Sequence, residues 1–129
     1  MAYVKFNPNP YGKNTGDCTI RAICAVLDYD WDRAYIELAA QGFEAKELPN
    51  DNDVWQRFLE EHGFRLGVIP EVCRPCRTVR DFCRAFPTGT YVLHINGIVG
   101  HVVGVVDGDY YDSFDSGSCT PLFFWKKEV

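Results

Sequence analysis

The sequence predicts a single α+β domain, residues 1–129, in which N-terminal helices pack on a C-terminal antiparallel β-sheet. Between residues 18 and 61, apolar residues recur at helical spacing. After Pro87 they form short β-branched and aromatic runs, separated by sequences that favour hairpin turns. With 129 residues, 47% of them hydrophobic, the chain is long enough for one core. Since no repeat or linker interrupts it, we expect one domain.

The first segment, residues 1–16, is rich in Asn, Pro and Gly and is predicted to be an extended arm and loop. A buried amphipathic helix follows at 18–27, with Asp17 as its expected N-cap. The apolar positions that define its buried face are Ile20, Ile23, Cys24 and Leu27.

Three further helices are predicted. The second spans 31–41 and should end at Gly42. The third begins at Asn50 or Asp51, runs to Glu61 and is followed by the helix-terminating Gly63. Thr78-Val79-Arg80-Asp81 is similar to a capping box and should open a short helix that ends near residue 85.

Four strands are expected after Pro87, because the apolar period changes there from helical to extended. They are Thr90–Ile95, Val99–Val106, Tyr110–Phe114 and Leu122–Trp125. The expected turns between them are Asn96-Gly97, Asp107-Gly108 and Ser116-Gly117-Ser118.

Charge and hydropathy restrict the possible partners. The net charge is −5, and the positive residues are scattered except for Arg74, Arg77, Arg80 and Arg84, which we interpret as a solvated helix face. A nucleic-acid partner is therefore not expected. No apolar stretch approaches the roughly 18 residues that cross a bilayer, and the N-terminus lacks the pattern of a secretory signal. We expect a cytoplasmic protein with no membrane association, whose six cysteines are reduced thiols.

Cys18 is the strongest candidate for a reactive residue. It opens the first helix, where unpaired N–H groups and the helix dipole stabilise a thiolate. Far along the chain, His101 begins an apolar strand, and acidic residues follow on the next strand. A Cys at a helix start, together with a His and an acid on neighbouring strands, is typical of a cysteine nucleophile with an oriented base.

Strand register decides which acid serves the histidine. If Asp107-Gly108 is a two-residue turn, Val103 pairs with Asp112. His101 and Asp112 are then diagonal neighbours on one face. Asp115 falls on the other face unless a bulge shifts the register. We therefore predict that Asp112 binds one ring nitrogen of His101 and that the other nitrogen meets Cys18.

The order and placement of Cys18, His101 and Asp112 resemble the papain-like superfamily of cysteine hydrolases. Asp112-Ser113-Phe114 is similar to the Asn-Ser-Trp motif of papain, in which the aromatic ring shields the histidine–amide bond. The pattern as a whole, from about residue 17 to 125, is similar to small papain-like proteins of phages and bacteria. It is more distantly similar to bacteriocin-leader-processing peptidases.

This resemblance implies a thiol-dependent hydrolase that cleaves peptide or amide bonds in a protein or peptide substrate without a cofactor. Cys18 would attack the carbonyl, His101 would carry the proton and Asp112 would orient His101. The family takes an oxyanion donor from a Gln before the Cys, which this chain lacks. Asn14 is the nearest amide, and the backbone N–H of Cys18 would be the second donor.

Two alternative functions remain open. The first is an acyl-transferring or deamidating enzyme of the same fold. The second is a non-catalytic, phage-type binding or inhibitor protein that retains the fold. The intact Cys–His–Asp set favours an enzyme, because a protein that no longer catalyses would be expected to lose one of the three.

Metal sites are not expected. Cys73, Cys76 and Cys83 would need Cys119 or His94 as a fourth zinc ligand, and the chain has no second Cys-x-x-Cys. We expect Cys83, His62 and His94 to be structural. Asp28, Asp30 and Asp32 begin like a calcium loop, but Arg33 and Ala39 stand where Gly and Glu are required. We interpret these acids as the lead into the second helix.

Overall fold

The structure, a computed structural model, describes residues 2–96 and 101–128. Five helices and a six-stranded mixed sheet form within these residues. The helices are α1 (Cys18–Leu27), α2 (Trp31–Ala45), α3 (Asn52–Glu61), α4 (Ile69–Val72) and α5 (Val79–Ala85). The strands are β1 (Tyr3–Lys5), β2 (Phe64–Val68), β3 (Thr90–Ile95), β4 (Val102–Val106), β5 (Asp109–Asp112) and β6 (Pro121–Lys127). The predicted α+β class is confirmed.

The sheet has the order β1-β5-β4-β3-β6-β2. β1 runs parallel to β5, whereas the other neighbours are antiparallel, so the expectation of a purely antiparallel sheet is wrong. The expectation that residues 1–16 form only an arm and loop is also wrong at Tyr3–Lys5. The backbone of this segment, which begins with the β-favouring Tyr3 and Val4, pairs with the edge of β5. The Phe6 N–H continues the contact at 2.9 Å from the Asp112 carbonyl oxygen.

Helix α1 packs directly on β4, and Gly104 makes this contact close. A Cβ built at Gly104 would lie 3.0 Å from the Ala25 Cβ and 3.2 Å from the Ala22 carbonyl oxygen, tighter than most real contacts. The missing side chain therefore lets the helix approach the strand backbone. Because Cys18 begins α1 and His101 immediately precedes β4, this contact helps to set the position of one residue relative to the other.

The prediction that helix α2 ends at Gly42 is wrong, because the helix continues to Ala45. Lys46 follows in a left-handed conformation, with φ 60°, and ends the helix. Gly42 is buried inside the helix, where a Cβ would lie 2.7 Å from the Glu47 carbonyl oxygen. The glycine thus serves a close approach of the α2–α3 loop and not helix termination.

The caps of α3 and α5 are close to those predicted. Asp51 caps α3 by accepting a hydrogen bond from the Asp53 N–H at 2.9 Å. The predicted capping box of α5 is confirmed, since Thr78 accepts from the Asp81 N–H and the Asp81 carboxylate accepts from the Thr78 N–H. β2 and α4 were not predicted.

The hairpin between β4 and β5 has the predicted two-residue turn. Asp107 and Gly108 have φ angles of 49° and 81°, and such a pair of positive values is typical of a type I′ turn. The register pairs Val106 with Asp109, as expected. β5 ends at Asp112, two residues earlier than predicted, and β4 is described from residue 102. The predicted strand start at Val99 and the glycine of the Asn96-Gly97 turn lie outside the described residues.

Cys73 and Cys76 form a disulfide, so the expectation that all six cysteines are reduced is wrong for this pair. Both residues are buried in the cluster that packs between α5 and the sheet. Among the described residues, Cys18, Cys24, Cys83 and Cys119 are free of disulfides.

In the part of the chain that the structure describes, no helix is both long and apolar enough to cross a lipid bilayer.

Candidate active site

The three residues predicted to act together come from three elements that meet at one end of the sheet. Cys18 is the first residue of α1, His101 directly precedes β4, and Asp112 is the last residue of β5. The Cys18 side chain is partly exposed, whereas His101 is buried and Asp112 is fully buried. The thiol is therefore the member of the set that is most accessible from solvent.

The acid predicted to contact His101 is the one found there. Nε2 of His101 lies 2.8 Å from Oδ2 of Asp112, within a buried hydrogen bond. The second carboxylate oxygen of Asp112 accepts the Ser113 N–H at 2.8 Å. Asp115 instead pairs with Arg80 at 3.0 Å and accepts the Tyr110 hydroxyl at 2.6 Å. The predicted choice of Asp112 over Asp115 as hydrogen-bond partner is confirmed.

His101 also forms a hydrogen bond with the Cys18 side chain. Because Nε2 is directed at Asp112, Nδ1 is the nitrogen left to face the sulfur. The imidazole thus lies between thiol and carboxylate, with one ring nitrogen for each. This is the arrangement that a base needs if it is to hold a fixed orientation while it exchanges a proton with a nucleophile.

The surroundings of Cys18 favour its thiolate. Burial, the largest single influence, raises the pKa of the thiol. Hydrogen bonds with the His101 side chain and the Val102 backbone, together with the positive charges of His101 and Arg21, act in the opposite direction. Their combined effect holds the Cys18 pKa below its ordinary value.

The histidine is shifted in the complementary direction. Burial, again the largest influence, lowers the pKa of His101, but hydrogen bonds to Asp112 and Cys18 and the negative charges of both raise it to about 9. The lowered thiol pKa and the raised imidazole pKa both shift the balance from the neutral pair toward a thiolate–imidazolium pair. The two groups titrate as a coupled pair.

The other free cysteines of the described residues differ from Cys18. Burial raises the pKa of Cys24 to about 12 and that of Cys83 to about 11. Burial followed by the charges of Asp112 and Asp115 raises the pKa of Cys119. Of these four thiols in the described part of the chain, Cys18 alone has a lowered pKa.

Phe114 covers one side of the histidine. Its ring centroid lies 5.1 Å from that of His101, with the ring planes inclined at 34°. The Phe114 side chain is itself 45% exposed, so it lies between the imidazole and solvent. An apolar cover of this kind reduces competition from water for the His101–Asp112 hydrogen bond.

Arg21 is a buried member of the site that the sequence analysis missed. It is 5% exposed, with Nη1 located 2.9 Å from Oδ1 of Asp17 and Nη2 located 3.4 Å from Oδ1 of Asp112. A buried guanidinium needs such partners, because an unpaired charge in the interior is costly. The sequence contained a clue to this role. Arg21 follows Cys18 by three residues, so the two side chains share a face of the predicted helix.

Asp17 does not cap α1 with its side chain, contrary to prediction. Although it occupies the N-cap position, its carboxylate makes no capping hydrogen bond. Oδ1 pairs with Arg21, and Oδ2 accepts the Trp31 indole N–H at 2.9 Å. The buried guanidinium of Arg21 and the indole N–H of Trp31 thus take the carboxylate from the helix end.

A cavity of about 780 Å³ opens above the thiol. Its walls include Cys18, His101 and Phe114, the α2–α3 loop near Asp51, and Asn14. Asn14 is exposed and belongs to the segment that leads into α1. The predicted oxyanion donor therefore lies in the same cavity as the predicted nucleophile, Cys18. The Cys18 N–H belongs to the first turn of α1, where backbone N–H groups point out of the helix end.

Five of the residues considered as metal ligands are paired, packed or buried elsewhere. The sulfurs of Cys73 and Cys76 are joined to each other, and Cys83 is fully buried. His94 packs edge-on against Trp55, with ring centroids 5.7 Å apart. Asp30 caps α2 by accepting the Arg33 N–H at 2.8 Å. Within the described residues, the carboxylates close enough to share a cation are Glu47, Asp51 and Asp53, all of them exposed.

His62 contacts helix α3, as expected of a structural residue. It follows α3, and its Nδ1 lies 2.7 Å from the Phe58 carbonyl oxygen. The ring also stacks on Phe58, with centroids 4.0 Å apart.

Comparison with protein-family profiles, curated proteins and solved structures finds no match to this chain.

Proposed function

We propose that this protein is a papain-like, thiol-dependent hydrolase that cleaves peptide or amide bonds through Cys18, His101 and Asp112. The observation that carries the proposal is the hydrogen-bonded series from thiol to imidazole to carboxylate. Its electrostatics favour the reactive forms of both partners, since the Cys18 pKa is lowered and the His101 pKa is raised to about 9. A thiolate beside an imidazolium is the resting state of an activated cysteine nucleophile.

In the proposed first half-reaction, the Cys18 thiolate attacks the carbonyl carbon of the substrate, and the π electrons of the carbonyl move to its oxygen. The Cys18 N–H and the Asn14 amide would stabilise this oxyanion. When the oxyanion collapses, the carbon–nitrogen bond breaks, and His101 gives its proton to the departing nitrogen. The products are a free amine, a thioester on Cys18 and a neutral His101.

In the second half-reaction, His101 takes a proton from water as the water oxygen attacks the thioester. The thiolate leaves, the carboxylic acid is released and His101 is again protonated. Asp112 keeps its hydrogen bond to His101 throughout and holds the ring orientation. If an amine replaced water at this step, the same site would act as an acyltransferase.

The proposal is tested by labelling with iodoacetamide at pH 6, followed by mapping of the alkylated cysteines by mass spectrometry. We expect Cys18 to react well ahead of Cys24, Cys83 and Cys119, because their pKa values are raised by burial. Hydrolysis of a peptide library should be abolished by Cys18→Ala. The matched variant Cys24→Ala, on the same helix, should retain hydrolysis.

The binding-protein and acyltransferase alternatives each have their own result in this experiment. A non-catalytic binding protein would show slow labelling of Cys18 at every pH and no turnover. An acyltransferase would release the amine product slowly in water and faster when a primary amine is added as acceptor. Rapid labelling, with amine release that does not depend on an added acceptor, supports the hydrolase.

A further inference from the structure

A second cavity, of about 690 Å³, adjoins the one above the thiol. The two share a wall, because the same residues line both: Thr15, Gly16, Asp17, Thr19 and Asn50. The shared segment leads directly into the nucleophile at Cys18. An extended peptide spans about 3.3–3.6 Å per residue. A peptide bound across the thiol would therefore reach the second cavity within a few residues.

The second cavity is rich in aromatic side chains. Trp31 and Tyr35, one turn apart on α2, stack with ring centroids 5.1 Å apart and planes inclined at 21°. Tyr11, which is 85% exposed, also lines this cavity. The indole N–H of Trp31 donates to Asp17, so the ring is held in place by a residue adjacent to the nucleophile. A rigid pair of rings offers large contact area at a small cost in conformational entropy.

The charges around this cavity favour a neutral occupant. Lys13 and Asp32 are of opposite sign, and the Asp17 carboxylate is paired with Arg21. Pro10 and Pro49 add apolar surface. Binding sites for small groups are typically concave and aromatic-lined, with few polar groups. Because the charges of Lys13 and Asp32 are opposite, the lining favours neither a basic nor an acidic side chain.

We propose that this cavity is a substrate subsite that accepts an aromatic side chain of the peptide, a few residues from the bond that is cleaved. We name the cavity lined by Tyr11, Trp31 and Tyr35 the aromatic subsite. The proposal rests on the proposed function of Cys18. It adds a preference for substrates with a Phe, Tyr or Trp at one fixed position.

The test uses tripeptide chloromethyl ketones, in which the Cys18 thiolate displaces chloride to form a thioether. One set carries Phe at each position in turn, a second carries Lys, and the reference compound carries only Ala. We expect Phe at one position to raise the rate of Cys18 labelling about tenfold or more over Ala, as burial of a ring predicts. Lys should give no such gain. The Phe-to-Ala rate ratio is the readout, because a general change in thiol reactivity cancels from it.

Tyr35→Ala and Tyr11→Ala should each reduce this ratio severalfold. Phe43→Ala is the matched control, since Phe43 is an exposed aromatic residue on the same helix that lines neither cavity. It should keep the wild-type ratio. A wild-type ratio near one at every position, a preference for Lys, or an unchanged ratio in Tyr35→Ala would overturn the proposal.

A second measurement separates failure of the subsite from failure of the proposed function. Calorimetry can measure the binding of N-acetylated tripeptide amides, one with Phe and one with Ala, to the Cys18→Ala variant. This measurement needs no reactive thiol. Tighter binding of the Phe peptide, lost in Cys18→Ala/Tyr35→Ala, supports the subsite even if iodoacetamide fails to label wild-type Cys18. Equal binding of both peptides by Cys18→Ala would count against the subsite even if Cys18 proves reactive.

Discussion

Arg21 and Asp112 form a buried ion pair, in which the guanidinium Nη2 lies 3.4 Å from the carboxylate Oδ1. The other carboxylate oxygen of Asp112 is directed at His101. Asp112 is thus in contact with two cationic groups when His101 is protonated, and Arg21 also joins it to Asp17. The acid of the proposed triad is connected through Arg21 to Asp17, the residue that precedes the proposed nucleophile.

Arg21→Met should destabilise the protein and weaken thiol activation. It leaves the buried Asp17 without its cation and Asp112 with His101 alone, and breaking a buried pair in this way costs about 3–5 kcal/mol of unfolding free energy. Because the charge of Arg21 also lowers the Cys18 pKa, the pH at which alkylation begins should rise. Denaturant unfolding and the pH dependence of iodoacetamide labelling measure the two effects.

The control for this variant is Arg33→Met, which removes an exposed ion pair with Glu37 at 2.8 Å. We expect little change in stability and none in the labelling profile. A profile that is unaltered in Arg21→Met would show that Arg21 has no electrostatic influence on the thiol.

The pH dependence of hydrolysis should be bell-shaped. Its acid limb reports formation of the Cys18 thiolate, which the lowered pKa moves to a lower pH than that of an unperturbed thiol. Its alkaline limb reports loss of the His101 proton, which the raised pKa moves to about 9. Asp112→Asn removes the carboxylate that favours imidazolium, so the alkaline limb should move to lower pH.

Measurement of kcat/KM from pH 4 to 10, in wild type and Asp112→Asn, checks this prediction. Asp115→Asn is the matched control, because Asp115 contacts Arg80 and Tyr110 and not His101. If Asp115→Asn moved the alkaline limb and Asp112→Asn did not, the proposed role of Asp112 would be wrong.

His101→Ala should return the thiol toward ordinary behaviour. The hydrogen bond and positive charge of the imidazole both lower the Cys18 pKa, whereas burial, which raises it, persists in the variant. Labelling at pH 6 should fall by about tenfold or more, and hydrolysis by about 10²–10⁴-fold. His62→Ala, a partly exposed histidine at the end of α3, should leave both rates unchanged. Equal labelling of Cys18 in the presence and absence of His101 would contradict thiol activation by the imidazole.

The Cys73–Cys76 disulfide should contribute to stability without affecting the thiol site. It closes a loop of only four residues, and loop-closure entropy gives such a bond about 2 kcal/mol. Cys73→Ala/Cys76→Ala should lower the free energy of unfolding by about that amount while Cys18 labelling is retained. In denaturant without reductant, four cysteines should be alkylated, and six after reduction. Alkylation of all six without reductant would show that the bond is absent.

Local rules were enough to predict the His101–Asp112 contact. The Asp107-Gly108 turn fixes the register of its own hairpin, and the two-residue period of a strand then places Asp112 on the face of His101. The α5 capping box was equally accessible, since it depends on residues three positions apart.

Long-range partners were not accessible to the same reasoning. β1 pairs with a strand more than 100 residues away, and nothing in the sequence of Tyr3–Lys5 indicates which strand it pairs with. Asp17 has a cap-forming side chain, but Trp31 and Arg21 compete for it in the folded protein. Glycine is common where a helix ends, yet the helix continues through Gly42, and a loop packs against it. In each case a tertiary contact overrode a local preference.

The close packing at Gly104 bears on how related sequences should be interpreted. Gly104 lies in the core, away from the thiol and the imidazole, but it influences the distance between them. A side chain at this position would push α1 away from β4. A homologue could therefore retain Cys18, His101 and Asp112 and still be inactive if a bulky residue replaced this glycine. Orthologues should be classified as enzymes or pseudoenzymes from four positions, with Gly104 as the fourth.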